Sequence, residues 1–280
     1  MARPLRVEFP GALYHITSRG NKKLDIFEDS EDRELFLRIL GRTIRVNNWI
    51  CYAYCLMNNH YHLLIETPEG NLSDGMRDLN GIYTQEYNKR HETTGHIYEG
   101  RYKSFIIESE PYLLQVARYI VLNPVRAEIA SSPEEWVWSS YLGMLDSKKS
   151  KHYIDKKKIL SYFKNSKTDG RNEYRKFIYE GVSAKSPFAE MPEGIILGSD
   201  QFKNEVCEIS KKQEDIKEIK KSDRMIGRPS LLDLFEGIEE KEERDTAIMI
   251  ARDWCGYSVT EIASHIGLSR GAVSRILNER

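Results

Sequence analysis

Between Phe9 and Asp146 the chain switches several times between two hydrophobic periods. Residues 9 to 20 alternate with a period of two. Leu13, His15 and Thr17 fall on one face, Tyr14, Ile16 and Ser18 on the other, and the run stops at Gly20. From Asp29 to Asn47 the period becomes helical and offers Leu35, Phe36, Ile39, Leu40, Ile44 and Val46 to a core. The apolar run that starts at Trp49 leads into Asn58-Asn59-His60-Tyr61-His62-Leu63-Leu64-Ile65. As a strand, this stretch projects His60 and His62 together while Tyr61, Leu63 and Ile65 turn inward. Asn71 opens a second helix that runs to about Arg90, with Leu72, Met76, Leu79, Ile82, Tyr83 and Tyr87 at helical spacing, a burial signal. Ile97 to Glu108 alternates again, as a last strand or hairpin. Glu110 to Leu122 then reads as an amphipathic helix with Ser109 as N-cap, Pro111 in its first turn and Pro124 ending it. Three strands alternating with three helices predict an α+β sandwich with antiparallel pairing.

After Asp146 the character changes. Lys148-Lys149-Ser150-Lys151 and Lys156-Lys157-Lys158 surround a polar connection, Tyr153 to Val182 reads as helical, and Lys211 to Lys221 is mostly charge, a solvated helix or linker. Three short helical patterns close the chain: Glu242 to Cys255, Val259 to Ile266, and Ser269 to Leu277, with Gly267 in the last turn. A short helix, a glycine turn and a helix that begins with Ser and Arg form a helix-turn-helix pattern. In it Ser269, Arg270, Ser274 and Arg275 face a duplex groove, and Ile262, Ala263, Ile266, Val273 and Ile276 form the core. A small bundle used for dimerisation would show the same periodicity. A chain of 280 residues exceeds the usual single domain. The division expected is residues 1–147 as the α+β domain, 148–225 as a helical connector and charged linker, and 226–280 as a helix-turn-helix DNA-binding domain.

Charge narrows the picture little. With 42 basic against 43 acidic residues the net charge is −1, so any nucleic-acid contact must come from local patches. Arg19, Lys22 and Lys23 make one such loop, and Arg101 and Lys103 stand beside Tyr98 and Tyr102 in another, a mixture of cations and rings that suits single-stranded DNA. A solvated turn and a charged strand edge are the plainer readings of the same residues. Cys51 and Cys55 share the strand of Trp49 and Tyr54 as buried thiols, and no four-ligand Cys/His spacing points to structural zinc. Neither a membrane span nor an apolar leader is visible, so a cytoplasmic, nucleoid-associated protein is expected.

The chemistry concentrates in two places. Neutral imidazole is the commonest side-chain metal ligand, and His60 and His62 share one rigid strand face, although two polar residues on a solvated face would look alike. Tyr119 and Asn123 lie at i and i+4, so phenol and amide share one helical face.

Together, His60-Tyr61-His62 and Tyr119-x-x-x-Asn123 resemble the HUH superfamily of single-strand DNA nucleases, in its single-tyrosine transposase branch. The likeness is greatest to the REP-associated tyrosine transposases. Tyr14-His15-Ile16-Thr17-Ser18-Arg19-Gly20-Asn21, Tyr98-Glu99-Gly100-Arg101-Tyr102-Lys103-Ser104 and Trp136-Val137-Trp138-Ser139-Ser140-Tyr141 match that group too, over about residues 1 to 145. The resemblance implies a ferredoxin-like antiparallel sheet. It implies that Tyr119 attacks a hairpin-bearing single strand to give a 5′-phosphotyrosine and a free 3′-hydroxyl. It also implies a divalent cation, Mg²⁺ or Mn²⁺, on His60, His62 and the oxygen of Asn123. Related insertion-sequence enzymes carry Gln where Asn123 stands, so the shorter amide must bring the helix closer to the strand. Arg19, Lys22, Arg101, Lys103 and Arg126 are the expected single-strand contacts, and the C-terminal pattern the duplex contact, in a monomer or homodimer. The alternative is a transcriptional regulator in which the C-terminal helices dominate and the transposase-like domain is catalytically silent.

Overall fold

A computed structural model of the chain describes residues 7–151, 153–164, 169–188, 196–218, 230–236, 238, 240–253, 257 and 259–278. The expected apolar-leader-free start at residues 1–4, the end of the charged run at 219–221 and Cys255 lie outside the described residues. Two compact units form, Met1–Gln213 and Glu214–Arg280.

In the first unit β1 (Ala12–Arg19), α1 (Ser30–Val46), β2 (Ile50–Leu56), β3 (His60–Thr67), α2 (Leu72–Arg90) and β4 (Lys103–Ile107) follow one another. The sheet order is β2-β3-β1-β4, every pair antiparallel, which is the split βαβ arrangement of a ferredoxin-like sheet. A fifth strand, β5 (Ile196–Leu197), pairs parallel to β4 from about ninety residues further on. Two residues carry no usable period, so it leaves no trace in the sequence pattern.

Helices cover both sheet faces. Tyr61, fully buried, packs its ring 4.8 Å from that of Phe36 on α1 and donates its hydroxyl to Asn80 on α2 at 2.7 Å. α1 starts where Asp29 accepts the amide of Asp32 at 3.0 Å, an N-cap that satisfies an orphan helix donor. Asp32 is itself buried, held by Arg90 at 2.6 Å and by His91, so the ends of α1 and α2 are tied together. Phe36, Leu37, Ile39, Leu40 and Ile44 of α1 enter the core. Val46, assigned to it by periodicity, is instead 70 % exposed: it sits in the last turn, where the helix has passed beyond the sheet.

Gly75 on α2 lies under Trp49, whose ring would be 2.1 Å from an added Cβ and whose Nε1 donates to Asn71 at 2.8 Å. Gly75→Leu is therefore expected to lower stability by about 1–3 kcal/mol through overpacking, read as a reduced urea midpoint at unchanged slope.

The opposite sheet face is covered by α3 (Ser109–Val121), which touches β2 and β3. This helix starts one residue earlier than its sequence suggests. Glu108 is the cap position, its carboxylate accepts from the amide and hydroxyl of Ser199 just after β5, and Ser109 Oγ is buried without a partner. At the other end the chain pauses at Leu122 and resumes as α4 (Asn123–Arg126), so Pro124 sits at the start of a new turn, where its fixed φ is favourable. The outer edge of β2 is sealed by residues 136–140: Trp136 donates Nε1 to Leu56 O at 2.9 Å, Leu56 donates to Trp138 O, and Tyr54 N donates to Ser140 Oγ. An edge strand so covered cannot template further pairing. α5 (Tyr141–Leu145), α6 (Lys156–Ser161), α7 (Arg171–Glu180) and α8 (Asp200–Glu218) continue the chain. Tyr174 and Ile178 of α7 are buried in the same core as the sheet.

The second unit holds α9 (Leu231–Phe235), α10 (Lys241–Asp253), α11 (Val259–Ile266) and α12 (Arg270–Asn278). Ile262, Ala263 and Val273 are buried, with Ile266 and Ile276 packed against them. Gly267 takes the left-handed conformation (φ 68°) in the turn between α11 and α12, and Ser269 Oγ caps α12 by accepting from Ala272 N at 3.1 Å. Arg270 and Arg275 are exposed and Ser274 is half-buried.

Candidate functional site

Register decides which side chains meet. In the β1–β3 ladder Thr17 stands opposite His62 and Arg19 opposite His60, so His15 is the diagonal neighbour of His62 on the same face. Its Nε2 lies 2.9 Å from His62 Nδ1, and the two rings stack with centroids 5.1 Å apart. The His60 and His62 rings are 5.0 Å apart. α3 brings Tyr119 over this group, edge-on, 6.1 Å from the ring of His62 and 6.0 Å from that of His15. Two strands and a helix thus gather three imidazoles and a phenol.

Hydrogen bonds fix what the imidazoles present. Asn59 donates its amide nitrogen to Lys23 O at 3.0 Å, which turns Oδ1 toward His60 Nδ1 at 2.7 Å. That nitrogen must carry the proton, and Nε2 of His60 keeps its lone pair. His62 Nε2 is buried with no partner. Burial lowers the pKa of all three rings, that of His15 to about 3; for His60 the charge of Arg19 adds to the effect, and His15 and His60 do the same for His62. All three are therefore neutral near pH 7, the state in which imidazole binds a metal.

The amide of Asn123 is only partly committed. Its nitrogen donates to Tyr119 O at 2.9 Å and Ile120 O at 3.3 Å, closing the end of α3, so its oxygen is the end directed away from those carbonyls. A longer Gln would not fold back on its own helix in this way. Among the described residues no three His, Cys, Asp or Glu side chains are grouped as a complete metal cage. An unpartnered, buried Nε2 on His62 and a lone-pair Nε2 on His60 nevertheless fit a divalent cation that takes its remaining ligands from an amide oxygen, water or phosphate.

The expected DNA contacts separate into two groups. Arg19, Arg101 and Lys103 line a recess of about 370 Å³ together with Thr17, Ser18, His60 and Glu99. Arg19 is paired with Glu99 at 2.7 Å, both about half exposed, a bond that water weakens and a phosphate can replace. Lys22 is exposed in a left-handed turn (φ 53°) and is not part of the lining of this recess. Arg126 is placed otherwise. Its guanidinium lies 5.4 Å from the Tyr119 ring centroid and donates to Gly181 O at 3.1 Å and Ala184 O at 2.7 Å. It clamps the segment after α7 against α3.

That segment delivers a residue with no sequence signal of its own. Phe188 stacks on His15 with centroids 4.9 Å apart and meets the edge of Tyr119 at 5.3 Å and the ring of Phe105 at 5.3 Å. His15, by contrast, was legible: it occupies the odd-numbered face of β1, and only its register against β3 was missing.

Residues 9–123 match the model of the IS200-like transposase family. No curated protein matches the chain. Among solved structures, a REP-associated tyrosine transposase bound to a REP hairpin is 16 % identical, over 51 % of this chain and 84 % of that one, at a TM-score of 0.44. A putative transposase from Deinococcus radiodurans R1 is 20 % identical, over 42 % of this chain and 95 % of that one, at a TM-score of 0.31. The strands that carry the three histidines and the helix that carries Tyr119 all lie within the stretch that is similar to the IS200-like transposase family.

Proposed function

We propose that the protein is a divalent-metal-dependent endonuclease and strand transferase that acts on hairpin-bearing single-stranded DNA. The observation that carries this reading is the approach of Tyr119 to His62, whose buried Nε2 lacks any partner. His60, His62 and the Asn123 oxygen would hold Mg²⁺ or Mn²⁺, which when bound neutralises phosphate charge and aligns the scissile group. The Tyr119 oxygen forms a bond to phosphorus as the bond from phosphorus to the 3′-oxygen breaks. The phenolic proton is lost and the departing 3′-oxygen gains one, leaving a 5′-phosphotyrosine and a free 3′-hydroxyl. Because that ester keeps the energy of the broken linkage, a second 3′-hydroxyl can reverse the step and join strands. The Tyr119 ring that meets His62 is in the same chain, which supports delivery in cis.

Arg19, Lys22, Arg101 and Lys103 supply phosphate contacts around His60, and Arg126 positions Tyr119. On α12, Arg270, Ser274 and Arg275 are the duplex-facing set, with Ser269 as its cap. Incubation with a labelled hairpin oligonucleotide and Mn²⁺ tests the proposal: a denaturation-resistant adduct is expected. Gel retardation without any adduct would favour a DNA-binding regulator, a reading supported by the ring of Phe188 against Tyr119.

His15 has a positioning role in this scheme. A metal on His62 Nε2 requires the proton on Nδ1, donated to His15 Nε2, a carboxylate-free version of the outer contacts that orient metal-bound histidines. The same assignment leaves the His15 proton on its buried, unpartnered Nδ1. His15→Phe keeps the stack with Phe105 and Phe188 but removes the acceptor. Its Mn²⁺ affinity, measured by titration without DNA, is expected to fall by about 10–100-fold. Unchanged affinity would remove His15 from this role.

A further inference from the structure

Neutral histidine in water prefers its proton on Nε2, the nitrogen that His60 must keep bare if it is to hold a cation. Which ring nitrogen carries the proton is set by the hydrogen bond that the other one makes. From the bonds around His60 we infer that Asn59 is a positioning residue: its amide, locked by the loop 20–24, holds the His60 proton on Nδ1 and leaves Nε2 as a lone pair for the metal. The inference rests on the metal-dependent function proposed above.

The amide has only one workable orientation. Its nitrogen donates to Lys23 O at 3.0 Å, and a carbonyl oxygen can only accept, so Oδ1 is the atom 2.7 Å from His60 Nδ1. Turned over, the amide would set oxygen against oxygen at Lys23 and offer a donor to Nδ1, which would move the ring proton to Nε2.

The loop that supplies the carbonyl is built at a cost. Lys22 and Lys23 both take the left-handed conformation, φ 53° and 64°, which L side chains rarely adopt. The glycine of the loop, Gly20, has an ordinary φ of −60° and is there for space, since an added Cβ would collide with Leu24 O. Two tight bonds, Lys23 N to Gly20 O and Leu24 N to Asn21 O, both at 3.0 Å, hold the strained pair and with it the carbonyl that faces Asn59. Backbone strain over-determined by its surroundings clusters at functional sites.

The turn between β2 and β3 does not need the Asn59 side chain for its shape. Asn59 O accepts from Gly20 N at 2.7 Å, and Asn58 O accepts from Ile26 N at 3.0 Å and Phe27 N at 3.2 Å. Arg33, buried beside the rings of Phe27, Trp136 and Trp138, donates to Asn58 Oδ1 at 2.8 Å. With the turn pinned by these bonds, what the half-buried Asn59 amide adds is its contact with His60. His62 has a separate device in His15, so the two imidazoles are set independently.

The test compares Asn59→Leu, which removes both bonds, with Asn59→Asp, which keeps an acceptor for His60 and loses the donor to Lys23. Both should melt within a few degrees of wild type. Two-bond ¹H–¹⁵N correlation spectra of metal-free, full-length protein show which nitrogen of each ring is protonated, with His60 identified by the signals lost in His60→Gln. Wild type and Asn59→Asp should carry the His60 proton on Nδ1, and Asn59→Leu should show it moved to Nε2 with His62 unchanged. Mn²⁺ affinity without DNA should fall by about 10–100-fold in Asn59→Leu and be no weaker than wild type in Asn59→Asp, where the carboxylate can orient the ring. A His60 proton on Nε2 in wild type would overturn the inference, as would an unmoved proton in Asn59→Leu or an equal loss of Mn²⁺ affinity in both variants. Absence of Mn²⁺ binding by wild type, with the proton on Nδ1 and moved in Asn59→Leu, would sink the metal-dependent reading while the control of the ring by Asn59 stood.

Discussion

Tyr119→Phe protein is expected to bind the hairpin oligonucleotide as tightly as wild type and to yield no covalent adduct, a fall of about 10⁴-fold or more in the rate of linkage. The substitution removes one oxygen and little else. The ring keeps its edge contacts with His15, His62 and Phe188 and its place under the Arg126 guanidinium, so the helix should stay where it is. The change in folding stability should stay within about 0.5 kcal/mol. Persistence of a denaturation-resistant adduct in this variant would mean that another side chain attacks. Cleavage without an adduct would mean that water does, and either result removes Tyr119 from the chemistry.

His62→Ala should fail in two ways at once. Metal-dependent linkage is expected to drop by about 100-fold or more, because one of the two proposed imidazole ligands is gone and His15 has nothing left to orient. Stability should fall too, by about 1–3 kcal/mol, since His15 Nε2 loses its only partner at 2.9 Å in a fully enclosed place. A thermal melt and a Mn²⁺ titration separate the two effects. Full Mn²⁺ affinity in His62→Ala would show that the ion is held elsewhere.

Much of the transposase-like sheet was legible because its strands and helices keep clean periods. Tyr61, Leu63 and Ile65 had to share one sheet face once His60 and His62 took the other, and the helix that carries Tyr119 declares itself by spacing, with Asn123 just beyond its C-cap. The motifs around Tyr98 and Trp136 were visible as well, but their work was not. Glu99 N donates to Arg19 O and Gly20 bridges to Tyr98, so that stretch closes the end of β1, while the tryptophans seal β2. What stayed hidden depends on contacts distant in sequence. The role of His15 needs the register of β1 on β3. Arg126 looked like a free cation, and only the path of the chain after α7 turns it into a clamp on two carbonyls. Phe188 and the two residues of β5 carry no period, and nothing local tells them from linker. The amphipathic helices α11 and α12 were read within a residue, because burial there is set by neighbours only a few positions away.

The late arrival of β5 has a consequence for the chain during synthesis. Tyr119 and the strands bearing its histidines leave the ribosome before Phe188 and Ile196 have been made, and 77 residues separate Tyr119 from Ile196. At about 5–20 residues per second, that is an interval of about 4–15 s. For that time a nascent polypeptide holds the phenol and imidazoles without their later wall and with one edge of β4 unpaired. Newly made molecules are therefore the ones most prone to pair with each other through that edge.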